Sequence, residues 1–310
     1  MGGDSVLSLV IRRLIEMVVT LWIVATCIFF LLRLVPGGPF DSEKSWHPEI
    51  QAAIEEKYGL HLPLKDQYLN WIGGVAHGDL KESFQYQGQD VTELILVSLP
   101  YSLIVGFGAL ILSIVMGVIL GVLSAWKKDT WIDFTSSFIA ISGVSLPPYL
   151  IATVLILFFS VKWQLLPVAL VEGPSSYVLP IITLGIRPAA TIARLVRAGL
   201  LEILSRDFIR TARSMGVSPF KILYKHALKN ALIPVLTILG PLTAAILTGS
   251  FVIEYVFQIP GVGKHFVTSI INRDYPVTMG ITLLYGVFLL VANFITDIAY
   301  TWADPRIKLT

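Results

Sequence analysis

Charge is scarce in this 310-residue chain. Only 14% of its residues are Asp, Glu, Lys or Arg, against 55% hydrophobic, and the mean hydropathy is +0.75. That balance excludes an ordinary soluble domain and requires an integral membrane protein. Cysteine is almost missing: the single one, Cys27, excludes an intrachain disulfide and a cysteine zinc cluster. The five histidines, His47, His61, His77, His226 and His265, lack ligand spacing, so no metal site is expected. There is no Gly-x-Ser-x-Gly elbow and no His-Glu-x-x-His, which leaves an intramembrane hydrolase without its chemistry. The stretch Gly261-Val-Gly-Lys-His265 has the outline of a phosphate loop. However, Gln258 stands where the first glycine belongs, and His265 replaces the hydroxyl that would hold magnesium. The regular alternation of a transmembrane barrel is absent too, and the fold class is therefore all-α.

What is present is a series of charge-poor runs, each near the roughly 20 residues a span needs: Leu14–Leu34, Tyr101–Trp126, Ile132–Val161, Tyr177–Leu195, Ala231–Val256 and Val277–Trp302. Six transmembrane helices are expected. Arg12 and Arg13 precede a run too long for a signal peptide, and Leu34-Val-Pro-Gly-Gly offers no cleavage site, so the first helix is read as retained. The chain divides into residues 1–34 (N-terminus and first helix), 35–97 (an external loop or small cap) and 98–310. This last part is a five-helix core whose charged loop, 200–232, faces the cytoplasm.

Orientation follows from the basic residues. With both termini in the cytoplasm, the inner segments hold Arg12, Arg13, Lys127, Lys128, Arg194, Arg197, Arg206, Arg210, Arg213, Lys221, Lys225, Lys229, Arg306 and Lys308, out of 23 in all. The first outer loop carries four lysines against ten carboxylates. This satisfies the positive-inside rule. A formal charge of +2 gives no reason to expect nucleic-acid binding. In the outer loop, helical spacing over Pro48–Tyr58 with Gly59 as its stop, and a shorter amphipathic pattern over Leu64–Trp71, predict a small cap. Whether it binds anything or only connects is left open.

Within the spans, Gly117 and Gly121 form a small-xxx-small pair that allows two helix backbones to approach. Pro147-Pro148 interrupts the third span, while Pro180, Pro188, Pro234 and Pro241 are expected to free carbonyls in the fourth and fifth. Such breaks suit either a bundle that moves around a pathway or static kinks. Arg187 is read as the only strongly charged residue well inside a span. At a helix centre an arginine costs roughly 2.5–3.5 kcal/mol, so it should face a pathway or a partner. Arg187, Pro147 and Glu254 are the candidate pathway residues; Glu254 and Asp297, near span ends, are otherwise expected to be hydrated. Trp126, Trp131, Trp163 and Trp302 fall at span borders as interfacial anchors.

The most informative segment runs from Ser205 to Pro234. Gly216 can end a helix in the left-handed conformation, Ser218 is an N-cap residue, and Pro219 suits the first helical position, so a fixed helix-turn-helix is expected. On its second helix Lys221, Lys225 and Lys229 make one stripe, with Phe220, Leu223, Tyr224, Ala227 and Ala231 on the other side. A basic stripe of this kind faces a negative partner or anionic lipid, at roughly 1 kcal/mol per basic residue. Lipid adhesion alone would not need so specified a turn. An ATP hydrolase's own residues are missing, so any energy must come from a partner or an ion gradient. A proton-driven carrier remains the alternative from another class, although paired intramembrane carboxylates are not seen.

These residues carry a resemblance. Thr211-Ala-Arg-Ser-Met-Gly216 through Leu232-Ile-Pro234 resembles the cytoplasmic EAA loop of bacterial ABC importer permeases. Thr211 stands in place of the acidic residue, and Ile233 comes before the proline. Leu32–Phe40, Gly78-Asp-Leu80, Phe208–Arg213, His226–Pro234, Thr248–Glu254, Ile259–Gly263, Asn272–Tyr275 and Asp304-Pro-Arg306 are similar to the B-type permease subunit of oligopeptide importers, within the peptide and nickel permeases. The resemblance implies a type I ABC importer permease of the bacterial inner membrane, without catalytic residues or a cofactor of its own. Its implied partners are a C-type permease subunit, two cytoplasmic ATPase subunits that bind ATP and Mg, an external solute-binding protein, and lipid. It also implies a coupling helix around Ala212–Pro219 that sits in an ATPase groove. Met215 and Phe220 would be its apolar anchors and Arg210, Arg213 and Lys221 its charged rim. Dipeptide, glutathione and nickel remain alternative cargoes.

Overall fold

The structure, a computed structural model, describes residues 3–40, 55–86 and 88–303. Among the described residues these helices follow in order: α1 (Gly3–Leu34), α2 (Leu64–Ala76), α3 (Val91–Trp126), α4 (Trp131–Ser145), α5 (Pro148–Leu155, prolonged by a π-helical Ile156–Lys162), α6 (Val178–Leu204, entered through a 3-10 turn at Pro174–Tyr177), α7 (Asp207–Ser214), α8, α9 (Ile233–Val256), α10 (Val262–Ile271) and α11 (Tyr275–Ala303). Helix α8 is composite: Pro219–Lys221, π-helical Ile222–Ala227 and Leu228–Ala231 in succession. Among the described residues there is no strand, only one isolated antiparallel bridge between Glu82 and Asp90.

Among the described residues five helices are long and apolar enough to cross a membrane, and the pair α4–α5 makes a sixth if counted as one span. The expected third span is therefore broken, bending by 113° at Leu146-Pro147. Pro147 adopts an extended φ, ψ and starts α5, since a proline disfavours the helical region for the residue before it. Elsewhere hydropathy misplaces the helix ends. The second span begins not at Tyr101 but ten residues earlier, with Pro100 inside α3, and α6 runs on to Leu204 rather than stopping at Leu195. Pro234 lies in the first turn of α9, and Pro180 is the third residue of α6. There the N–H groups have no intrahelical partner in any case, so neither proline costs the bond expected of it. Pro188 and Pro241 are interior, and the helices continue through them.

The chain forms two compact units, Met1–Pro100 with Pro260–Leu290, and Tyr101–Ile259 with Val291–Thr310. In the first, α1 and α2 pack through Ala25, Phe29 and Trp71 against Tyr275, Met279 and Leu283. The loop after α2 is tied down by buried Asp274, which accepts bonds from the Ser83 hydroxyl and from the Phe84 (3.1 Å) and Gln85 (3.3 Å) N–H groups. Gly59, at φ +67°, ends the helical turn Glu55–Lys57; the earlier part of that expected helix lies outside the described residues.

In the second unit α3 and α6 lie backbone to backbone. A Cβ on Gly117 would sit 2.7 Å from the Ala189 carbonyl oxygen, and one on Gly121 would sit 2.6 Å from that of Ala193. This is the close approach that the small-xxx-small spacing predicts. Where lipid is as apolar as the side chains, such packing is what holds helices together.

Candidate functional site: a rigid elbow and the strut above it

Helix α7 ends in a fully bonded turn. The Gly216 N–H donates to the Arg213 carbonyl (2.9 Å) and the Val217 N–H to that of Ala212 (3.1 Å), a pair of bonds that closes a helix when the residue between turns left-handed. Gly216 does so, at φ +77°. Pro219 then starts α8 as expected. Ser218 occupies the N-cap position with ψ 144°, but its side chain makes no capping bond. The backbone alone fixes the turn, with the Ser218 carbonyl accepting from Ile222 at 3.0 Å.

One face of the elbow is anchored. Ile209 of α7 is fully buried, and Leu223, Ala227 and Ala231 of α8 pack with Ile192, Val196 and Leu200 of α6. The other face is open, and here the structure corrects the expected pattern. Phe220 and Tyr224 do not share the inward side with Leu223, Ala227 and Ala231; they are 72% and 71% exposed, beside Met215 at 76%. The π-helical turn over Ile222–Ala227 alters the angular step, so a pattern drawn for 3.6 residues per turn goes out of register. The exposed face thus carries three large apolar side chains among Arg210, Arg213 and Lys221. Arg210 lies 3.4 Å from Asp207 in an exposed pair that contributes little. Among the described residues Arg213, Lys221, Lys225 and Lys229 make no ion pair.

Above the elbow a strut joins α4 to α6. Asp133, at the start of α4, receives the Arg197 guanidinium in a two-pronged pair, Nε to Oδ1 and Nη2 to Oδ2, each 2.8 Å. The Ser124 hydroxyl and the Asp129 N–H (3.1 Å) complete its shell. Such fork geometry is strong and directional. The sequence reading missed this pair because both residues looked like ordinary charges at the water boundary. Arg194 and Arg197 in fact lie within α6, so Arg187 is not the sole charge there.

The candidate pathway residues do not form one lining. Arg187 is exposed on α6, Pro147 is half-buried at the bend, and Glu254 is fully buried rather than hydrated. Glu254 sits in the last turns of α9 beside Ile253 and Phe257, which close a core with Val105, Leu179 and Ile259. The Asp297 and Trp302 side chains lie outside the described residues. Trp126, Trp131 and Trp163 are exposed, as interfacial anchors require.

Long apolar helices with a rigid charged elbow between two of them define a polytopic membrane protein with an exposed docking turn. The chain belongs to the family described as binding-protein-dependent transport system inner membrane component: that model matches residues 117–309, and the model of its N-terminal part matches residues 6–103. It is 42% identical over 299 residues to the dipeptide transport system permease protein DppB of Bacillus subtilis, covering 96% of this chain and 97% of the relative. It is 39% identical over 304 residues to the oligopeptide transport system permease protein OppB of Salmonella typhimurium, covering 97% and 99%. Among solved structures, the MetNI methionine ABC transporter in an inward-facing form shares the fold, with a TM-score of 0.58 at 21% identity over 68% of this chain and 96% of that one.

Proposed function

We propose that this chain forms half of the translocation pathway of a peptide importer, and that its elbow is where ATP hydrolysed elsewhere becomes movement. The observation that carries the reading is the elbow's two-sidedness. One face is locked into α6 by buried Leu223, Ala227 and Ala231, and the other presents Met215, Phe220 and Tyr224 with a basic rim. Large apolar side chains ringed by charge are the anatomy of a protein docking site. A partner gripping Met215 and Phe220 moves α6 without bending the turn. Peptide cargo is favoured by the names of the relatives, which cover both dipeptides and oligopeptides. The implied assembly is a second, C-type permease subunit, two ATPase subunits holding ATP and Mg on the cytoplasmic side, and an external solute-binding protein. Both termini would lie in the cytoplasm, and the chain itself would do no covalent chemistry.

The test uses cysteines placed at Met215 or Phe220 in a Cys27→Ser background, within the assembled transporter. Crosslinking to the ATPase subunit, changed by ATP, is expected; labelling only by reagents confined to the outside would overturn the reading. Gly216→Pro removes the N–H that bonds Arg213 and demands φ near −65° where the chain needs +77°. Uptake should be lost while the protein still inserts.

A further inference from the structure

The outward face of α6 carries a one-signed track. Arg187, Thr191 and Arg194 follow one another at helical spacing, and both arginines are exposed, while Ile192, Ala193, Val196 and Leu200 on the opposite side are buried. Among the described residues neither guanidinium has a hydrogen-bond or ion-pair partner, and the Thr191 hydroxyl only returns to the Arg187 carbonyl at 3.2 Å. Depth follows from the strut. Arg197 is held by Asp133 next to the charged turn Lys127–Asp129, which marks the water boundary. At about 1.5 Å per residue, Arg194 lies roughly 4.5 Å further in and Arg187 about 15 Å, near the middle of a hydrocarbon core about 30 Å thick. An arginine at that depth does not face lipid, so this face is turned to water or to another polar surface. Near Arg194 the surface is concave: a cleft of 280 Å³ has Ser124, Ser136, Ser137, Arg194 and Arg197 on its polar side and aliphatic side chains over the rest of its wall. No carboxylate other than Asp133, already bound to Arg197, approaches it among the described residues.

We infer that Arg187 and Arg194 form a carboxylate-guiding track that favours acidic over basic cargo on its way to the inner side. This rests on the peptide-import reading above. A peptide carboxylate would pass from Arg187 at mid-depth to Arg194 at the mouth of the cleft, each a donor in a site of reduced polarity. A lysine side chain would meet repulsion at the same two positions.

The test reconstitutes the complete transporter in proteoliposomes, with its permease partner, ATPases and binding protein, and measures ATP-driven uptake of Ala-Glu-Ala and Ala-Lys-Ala. In Arg187→Gln and in Arg194→Gln the Glu-to-Lys uptake ratio should fall about tenfold, the equivalent of roughly 1.4 kcal/mol. Arg187→Lys should keep the wild-type ratio, and Arg187→Glu should invert the preference. Because the ratio is read within one preparation, a variant that assembles poorly still reports. An unchanged ratio in both Gln variants, whether uptake is kept or lost equally, overturns the track and assigns the stripe to contact with the second permease subunit. If the wild type imports neither of these tripeptides nor the dipeptides Ala-Glu and Ala-Lys, the peptide reading itself falls, and the track with it.

Discussion

Removing Arg197 should damage the protein more than neutralising Asp133, and the structure says why. The aspartate side chain is 7% exposed and the arginine 32%. In Arg197→Ala a carboxylate that cannot reach water loses two 2.8 Å charge-assisted bonds and keeps only Ser124, the Asp129 N–H and a long Ser137 contact of 3.4 Å. Breaking a buried pair from one side costs about 3–5 kcal/mol. With a third of the arginine already hydrated, about 3 kcal/mol is the figure expected. In Asp133→Asn the amide keeps an acceptor for Arg197 or Ser124, and the guanidinium can turn toward water, so about 1–2 kcal/mol is expected, the cost of a weakened polar contact. At roughly 2–4 °C per kcal/mol for chains of comparable size, the melting temperature should fall by about 6–12 °C in the first variant and by about one to two thirds of that in the second. Tryptophan fluorescence of the detergent-solubilised transporter measures both. The reasoning is refuted if Asp133→Asn melts at or below Arg197→Ala, because burial would then not be what sets the asymmetry.

Two further outcomes follow from local geometry. In Gly121→Val the new Cβ meets the Ala193 carbonyl oxygen at 2.6 Å and the Val196 Cβ at 2.7 Å, so α3 and α6 must separate; overpacking of this kind costs about 1–3 kcal/mol, and a lower yield of assembled, monodisperse transporter should show it on size-exclusion chromatography. His265 has a buried, unpartnered Nδ1 and lies in a small cleft with Glu93, its ring edge-on to Tyr86. Burial, with Lys264 adding to it, pushes this imidazole below its ordinary value. Below about pH 6.5 the unfolded chain then binds more protons than the folded one, so stability falls as pH drops toward the lowered value. His265→Phe should flatten the dependence of melting temperature on pH between about 7.5 and 5.5; an unaltered slope would remove His265 from the account.

The turn at Gly216-Val-Ser-Pro219 was legible in the sequence because its causes are local: a residue that tolerates positive φ and a proline that suits a first helical turn. Gly117 and Gly121 were legible for the same reason, since their spacing alone puts both on one helix face. The Asp133–Arg197 strut and the Asp274 tie to Ser83, Phe84 and Gln85 were not. Their partners lie 64 and about 190 residues apart, and nothing local distinguishes a carboxylate that will be buried from one that will be hydrated. Glu254 failed in the same way. Helix ends failed for a different reason. Residues 91–100 and 196–204 extend α3 and α6 past the apolar run, where hydropathy sees only the membrane-embedded part and not the hydrogen-bonded rod that continues beyond it. Phe220 and Tyr224 show a third limit, because a π-helical turn shifts register without leaving a mark in composition.

The track lies on one helix, and both the strut and the elbow attach to that same helix. Helix α6 carries Arg187 and Arg194 on its open face, holds Asp133 through Arg197, and receives α8 at Gly199, where an added Cβ would lie 3.0 Å from the Ala231 carbonyl oxygen and 3.3 Å from its Cα. With backbone against backbone there is no soft side-chain layer between elbow and span to absorb a displacement, since close-packed interiors transmit strain rather than dissipate it. On the docking proposed above, a push on Met215 or Phe220 would therefore reach α6 as a rigid shift. The strut would set the point about which that shift turns, because the two-pronged pair ties α6 to α4 there. Arg187, about 15 Å beyond the strut along the helix, would then move further than Arg194, which lies only about 4.5 Å from the strut. That is where a cargo carboxylate at mid-depth would feel a change in access, so on the proposed docking the elbow, the strut and the track would act as handle, pivot and working end of one lever.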